Sequence, residues 1–425
     1  MTRLLLVLLL LLPRAAGALD LDAVLARSGL GGAEVAVLAE PYAGGAAVLE
    51  RGADAALPPA STQKLMTAIG VLERFGPDAR FATRLLWRGE DTAVLVGGGD
   101  PELDLDGLMR LALALKDTGQ VPARLVFDDG LLPRPPSINP SQPQEDAYNA
   151  GVGALNLAFN RVRVVEGGTP WTLPPLDERG PAAMHLFDRD ELPVRDAGLH
   201  AARTFRRLAG GLGLVLPEPV RGQAFRSDRE VGRTLSKTVG ELVRDMLLYS
   251  NNQIAETLGL AATGGRDLAA SASSMQAGVA ALAPGATLSA MRVVNHSGLA
   301  YGAAATPRQL LALLRLGQER HGLLAMLPVS GWSGSLEGTL RRPETALRVW
   351  AKTGSLDYAL GLAGLLLPES GRPLLVALLV ADPAARRGFD RVRPTPPALR
   401  READAWARRA RAFRDDLVAA MLSEF

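Results

Sequence analysis

The 425-residue chain contains no cysteine, so an oxidising compartment neither helps nor harms it. Its four histidines, His185, His200, His296 and His321, fit no metal spacing such as H-E-x-x-H, and the sequence calls for no metal and no other cofactor. Charge of either sign is not in excess: the formal net charge is +2, and the first residues carry Arg3 and Arg14 with no acid. A nucleic-acid partner is therefore not expected, because a phosphate-binding surface shows a clustered basic excess. Beyond the N-terminus no run reaches the roughly 18 uninterrupted apolar residues that a membrane span needs, so no transmembrane segment is expected in the mature chain. The scarcest feature is lysine, which supplies only Lys64, Lys116, Lys237 and Lys352 of the 47 basic residues. Arginine serves wherever a plain positive charge suffices. Lysine alone can be driven to give up its proton near neutral pH, by burial or by a second cation.

What is present begins with Met1-Thr2-Arg3, the apolar run Leu4 to Leu12 and the small-residue site Gly17-Ala18, which read as a secretory signal peptide over residues 1–18. The mature chain is then expected to be exported, to the periplasm or cell envelope. Ala33 to Ala39 and Ala46 to Arg51 read as a hairpin. Ser61, Lys64, Leu65, Ala68 and Leu72 share one face of a helix that begins after Pro58-Pro59. From residue 80 to residue 226 the texture changes to strand-like runs, a helical pattern over Leu105 to Lys116 and a proline-laden stretch, so this span reads as an inserted domain of one or two subdomains. Residues 19–79 and 227–425 would then form one discontinuous domain. Its second half reads as helix from Thr238 through Leu260, strands at Leu347 to Lys352, Gly361 to Leu367 and Pro373 to Val380, and a long C-terminal helix. The stripe Leu399, Ala403, Trp406, Ala410, Phe413, Leu417 and Met421 suits that helix to packing against a sheet. The fold class is α/β (α+β).

Three strings can carry chemistry. Ser61-Thr62-Gln63-Lys64 places a hydroxyl one helical turn from a lysine on a largely apolar face. A serine is a weak nucleophile at neutral pH, and a deprotonated lysine beside it would activate it. Tyr249-Ser250-Asn251-Asn252 offers two frames, Ser250 with Asn252 or Tyr249 with Asn251. A hydroxyl there can relay a proton and an amide can hold both lysine and substrate. Val239, Leu242, Met246 and Tyr249 continue one apolar face, which assigns Tyr249 to the core and favours Ser250 and Asn252. Lys352-Thr353-Gly354 suits an edge strand beside a cleft: lysine gives charge, threonine can bind a carboxylate, and Gly354 permits close approach of a substrate backbone. The N–H groups of Ser61 and Ser355 could form an oxyanion hole. Ser236-Lys237-Thr238 is a decoy that opens a helix.

In this order the three strings resemble the penicillin-interacting serine acyltransferases, and roughly 190 residues between Ser61 and Ser250 leave room for an inserted domain that a compact serine beta-lactamase does not need. The layout resembles the D-alanyl-D-alanine carboxypeptidase/endopeptidase family of low-molecular-mass penicillin-binding proteins, peptidase family S13. Further strings carry the likeness across most of the mature chain: Gly97-Gly98-Gly99-Asp100-Pro101, Tyr148-Asn149-Ala150 with Gly153-Ala154-Leu155-Asn156, Ala255-Glu256, and Ser355-Leu356 after the lysine string. Asn295-His296-Ser297-Gly298-Leu299 departs from it, since the family tends to show glycine where His296 stands. The resemblance implies a beta-lactamase/transpeptidase-like domain with a large insert. Ser61 would be the acylated nucleophile, Lys64 its base, Ser250 the proton relay and Asn252 an anchor for substrate and lysine. Lys352 and Thr353 would hold the terminal carboxylate. Peptidoglycan stem peptides and cross-links would be the substrates and beta-lactams the inhibitors.

Alternatives in other classes are a serine beta-lactamase, a non-catalytic penicillin-binding envelope protein, and a Ser-His-Asp hydrolase suggested by Gly331-Trp332-Ser333-Gly334-Ser335. The last fails G-x-S-x-G at its fifth position.

Overall fold

The computed structural model describes residues 19–165, 171–175, 190–391 and 395–425, so the signal peptide expected over residues 1–18 lies outside the described residues. The central element is a five-stranded antiparallel sheet in the order Val349–Leu356, Ala359–Leu366, Leu374–Ala381, Glu34–Pro41, Leu49–Arg51. Leu374–Ala381 is buried along its whole length and reads as a continuous apolar run rather than an alternating one, as a strand covered on both faces must. One face packs on the Lys64–Phe75, Val239–Leu248, Asn252–Thr263 and Pro307–His321 helices through Leu38, Ala363, Leu375, Ala377 and Leu379. The other face packs on the C-terminal helix Pro397–Glu424 through Val37, Leu362, Val376 and Leu378 against Trp406, Phe413, Leu417 and Met421. The expected stripe is thus spent on the sheet. Among the described residues no helix is long and apolar enough to cross a membrane.

A second five-stranded sheet, in the order Arg229–Leu235, Ala82–Arg88, Thr92–Val96, Arg124–Asp128, Val220–Arg221, has its own core with the Leu105–Asp117 and Ala197–Gly211 helices. A three-stranded sheet of Trp171–Leu173, Arg161–Val165 and Glu191–Pro193 lies within the same span of sequence. The Arg229–Leu235 strand falls beyond residue 226, so a boundary drawn there separates it from the strand it pairs with, Ala82–Arg88.

Two helix boundaries differ from the periodicity, and both fall at the cleft. The helix carrying Lys64 begins at Lys64, after a 3₁₀ turn over Ala60–Gln63 that holds Ser61, because Ala60 has φ +48°. The helical run expected from Thr238 through Leu260 is broken. Val239–Leu248 ends, Ser250 turns to φ +57°, and Asn252–Thr263 starts anew with the Asn251 side chain accepting the N–H of Ile254 at 3.1 Å. Non-glycine residues enter this left-handed region at a cost, and here two of them set the approach to the cleft.

Candidate active site

The Ala60–Gln63 turn brings Ser61 to the mouth of the helix, and Lys64, one residue beyond the turn, is fully buried beneath it. Lys64 Nζ lies 2.9 Å from Ser61 Oγ, 2.8 Å from Asn252 Oδ1 and 2.8 Å from the Ser297 carbonyl oxygen. The last two partners can only accept. A neutral amine has two N–H groups and a lone pair, so it satisfies both acceptors and keeps the lone pair for the Ser61 proton. Burial pushes the Lys64 ammonium down to about 7, against the opposing pull of the Glu256 carboxylate.

Asn252 opens the Asn252–Thr263 helix, and its Nδ2 donates to the Tyr148 carbonyl at 3.0 Å. Asn251 is spent on capping that helix, so the amide that reaches the lysine is Asn252. Ser250 and Asn252 line the same cleft as Ser61, and the Ser250 side chain makes no hydrogen bond among the described residues. Tyr249 is not in the core: it is 68% exposed, because the helix ends at Leu248 and the chain turns before the apolar face can continue. The frame with Ser250 and Asn252 faces the cleft, although the packing expected of Tyr249 is absent.

Lys352, Thr353, Gly354 and Ser355 lie inside the edge strand Val349–Leu356 rather than at its end. Lys352 is fully buried, and Nζ donates to the Thr353 carbonyl at 2.7 Å. Burial, aided by the Lys64 charge, holds it well below the usual lysine range. Thr353 and Ser355 line the cleft, and Thr353 Oγ1 donates to Ser335 Oγ at 3.0 Å. Ser335, the last residue of the near-miss string, thus accepts from the threonine. A Cβ on Gly354 would stand 2.7 Å from the Pro59 carbonyl oxygen and 3.0 Å from the Ser61 nitrogen, so this glycine is demanded by the approach of the strand to the Ser61 turn. Lys237 bridges Glu102 at 2.7 Å and Asp245 at 2.6 Å, a structural use away from the cleft lining.

The cleft has a volume of about 500 Å³. Tyr148, from the string Tyr148-Asn149-Ala150, lines it too, and residues that no string marked complete it: Asp146 before that string, Asp357 after the edge strand, and Arg400, Asp404 and Arg411 from the C-terminal helix. Arg400 is paired with Asp357 at 2.8 Å. Polar positions flanking an apolar helical stripe were the only signal for the last three. The loop Asn295–Leu299 supplies the third partner of Lys64 and rests on Ala60: a Cβ on Gly298, at φ +77°, would meet the Ala60 carbonyl at 2.0 Å. The left-handed turn falls at Gly298, so His296 adds no strain there. Its ring packs over Gly259 and its Nε2 meets Ser271 Oγ at 2.7 Å.

A sequence profile of the D-Ala-D-Ala carboxypeptidase 3 (S13) family matches residues 18–168 and 189–392. The chain is 27% identical over 408 residues to the carboxypeptidase DacB of Mycolicibacterium smegmatis, covering 86% of this chain and 83% of that protein. It is 27% identical over 373 residues to a carboxypeptidase of Mycobacterium tuberculosis, covering 79% and 74%. The crystal structure of penicillin binding protein 4 from Haemophilus influenzae superposes with a TM-score of 0.72 at 19% identity, over 95% of this chain and 99% of that one, and so shares the fold. With the profile spanning most of the sequence, the chain belongs to the D-Ala-D-Ala carboxypeptidase 3 (S13) family and is a serine-type carboxypeptidase acting on peptidoglycan stem peptides.

Proposed function

We propose that Ser61 is the nucleophile that opens the terminal D-Ala-D-Ala bond of a stem peptide, with Lys64 as its base. The observation that carries this is the trio of contacts at Lys64 Nζ, in which two partners only accept and the third, Ser61 Oγ, can donate. As Ser61 Oγ attacks the penultimate carbonyl carbon, Lys64 takes the hydroxyl proton. The oxyanion is received by the N–H groups of Ser61 and Ser355. Collapse breaks the C–N bond, and the leaving D-alanine amine takes its proton through the Ser250 hydroxyl. Thr353 and Lys352 hold the leaving carboxylate. Asn252 keeps Lys64 in place and offers its amide to the substrate backbone. Water then cleaves the acyl ester by the reverse proton path.

The same chemistry applies to a cross-link, where the leaving group is a second stem peptide, and to a beta-lactam, whose ring opens to the same ester on Ser61. Residues 80 to 236 form the inserted unit in this reading, with Arg229–Leu235 included in it. Residues 1–18 export the chain to the periplasm or envelope, where the substrate lies. Incubation with defined pentapeptide and cross-linked muropeptides, followed by mass analysis, tests the reading. The wild-type protein should release D-alanine and Ser61→Ala should not. Equal release by both would remove Ser61 from the reaction.

A further inference from the structure

Glu256 is a fully buried carboxylate that the acyl-transfer steps above do not use. It stands one turn after Asn252 on the Asn252–Thr263 helix, at i and i+4, so both side chains leave the same face. Its Oε2 accepts the His296 N–H at 3.0 Å and its Oε1 accepts the Ser297 N–H at 2.8 Å. Burial pushes the Glu256 carboxyl up, while a main-chain donor on each oxygen, the Ser297 hydroxyl and the Lys64 charge pull it back toward the ionised form. The residue whose N–H Glu256 holds is the residue whose carbonyl meets Lys64 Nζ at 2.8 Å. The Lys64 helix and the turn before it grip the same loop, through Thr67 Oγ1 to the His296 carbonyl at 2.8 Å and through Gln63 Nε2 to the Asn295 carbonyl. Burial alone would not explain a carboxylate here, since an unpaired buried charge is costly and an apolar side chain would fill the space.

We propose that Glu256 is a positioning residue for acylation: ionised and buried, it fixes the Asn295–Leu299 loop so that the Ser297 carbonyl orients the Lys64 amine, and it sets the pH at which that amine becomes a base. This rests on Lys64 being the base of Ser61. The ionisable groups packed around Lys64 are Glu256 on one helix, Lys352 on the edge strand and His296 on the loop. His296 is kept neutral by burial, which pushes it down to about 3. Tyr148 lines the cleft from the inserted span and is pushed up to about 12 by burial, while Glu73 and Arg74 lie at the far end of the Lys64 helix. Asp146, Asp357, Asp404, Arg400 and Arg411 stand in the cleft wall. Glu256 is the buried anion of this set and opposes the loss of the Lys64 proton.

The experiment is the pH dependence of the rate at which a fluorescent penicillin acylates the full-length mature protein. In Glu256→Gln, loss of the negative charge should move the acid limb to lower pH by about one unit, and the loosened loop should lower the plateau on the order of tenfold or more. Glu256→Asp keeps the charge and shortens the reach, so its plateau should fall while its acid limb stays in place. An acid limb unmoved in Glu256→Gln, or moved equally in Glu256→Asp, would overturn the proposal. If Glu256→Gln does not fold, infrared spectroscopy of the wild-type protein at pH 8 decides. Glu256 should be ionised, and a protonated buried carboxyl band that shifts in Glu256→Asp would overturn it. Absence of any Ser61 adduct in the wild type would instead contradict the proposed nucleophile and leave the Glu256 contacts as structure alone.

Discussion

Lys64 and Lys352 are both fully buried, yet their surroundings ask different things of them. Lys64 touches a hydroxyl and two obligate acceptors, while Lys352 bonds only to the Thr353 carbonyl among the described residues. Lys64→Arg should therefore abolish penicillin acylation, because guanidinium does not lose its proton, whereas Lys352→Arg should keep a measurable part of it. Equal loss in the two variants would contradict this division of roles. The sign of the pH dependence follows from the neutral amine being the active form. Acylation by the wild-type protein should fall as pH drops through about 7, where Lys64 becomes charged, and should level off above it. Stopped-flow acylation between about pH 5 and about pH 9 reads this directly. In the second string, Tyr249→Phe should be mild because that ring is exposed, and Ser250→Ala should be severe; the reverse order would move the relay to Tyr249.

At the scale of the element, the local strings were legible and their junctions were not. Ser61 and Lys64 lie close in sequence, and i, i+3 spacing on a helix puts them on one side, so their contact could be read before any fold was known. The break at Ser250 was hidden because the apolar period through Val239, Leu242 and Met246 runs on to Tyr249, and nothing local announces that Asn251 caps a new helix. Ser297 was missed as a partner of Lys64 because its carbonyl is main chain, which no residue type encodes. The polar face of the C-terminal helix was equally silent: its apolar stripe foretold the sheet contact, but not that Arg400 and Arg411 would wall the cleft. Gly354→Ala tests the strand-to-turn junction. Its new methyl group would press on the Pro59 carbonyl and the Ser61 nitrogen, and a displacement of the nucleophile of this kind should slow acylation on the order of a hundredfold while the circular dichroism spectrum is kept. Leu417→Ala, deep between the C-terminal helix and the sheet, should cost about 2 to 5 kcal/mol of stability, seen as a lowered melting temperature.

Across the whole molecule, the cleft is assembled from parts distant in sequence, and the inserted span contributes to it directly. The Tyr148 carbonyl receives Asn252 Nδ2, and Asn139 Nδ2 donates to the Leu299 carbonyl at 2.7 Å, so residues 139–149 clamp both the second string and the loop that holds Lys64. The sequence places this span in an insert and marks no part of it for the chemistry, since each of these two clamps ends on a main-chain oxygen, which no residue type encodes. The lysine scarcity noted in the sequence acquires a physical meaning at this scale. Of the four, Lys237 is tied up in ion pairs, Lys116 lies in the last turn of a helix, and the other two are sealed under the cleft where their protons can be moved. In the proposed reaction Ser61 is the residue acylated. Mass spectrometry of the purified protein after saturating exposure to a penicillin should find the adduct on the peptide that contains Ser61 and none in Ser61→Ala; an unmodified Ser61 peptide, or an adduct on another residue, would contradict it.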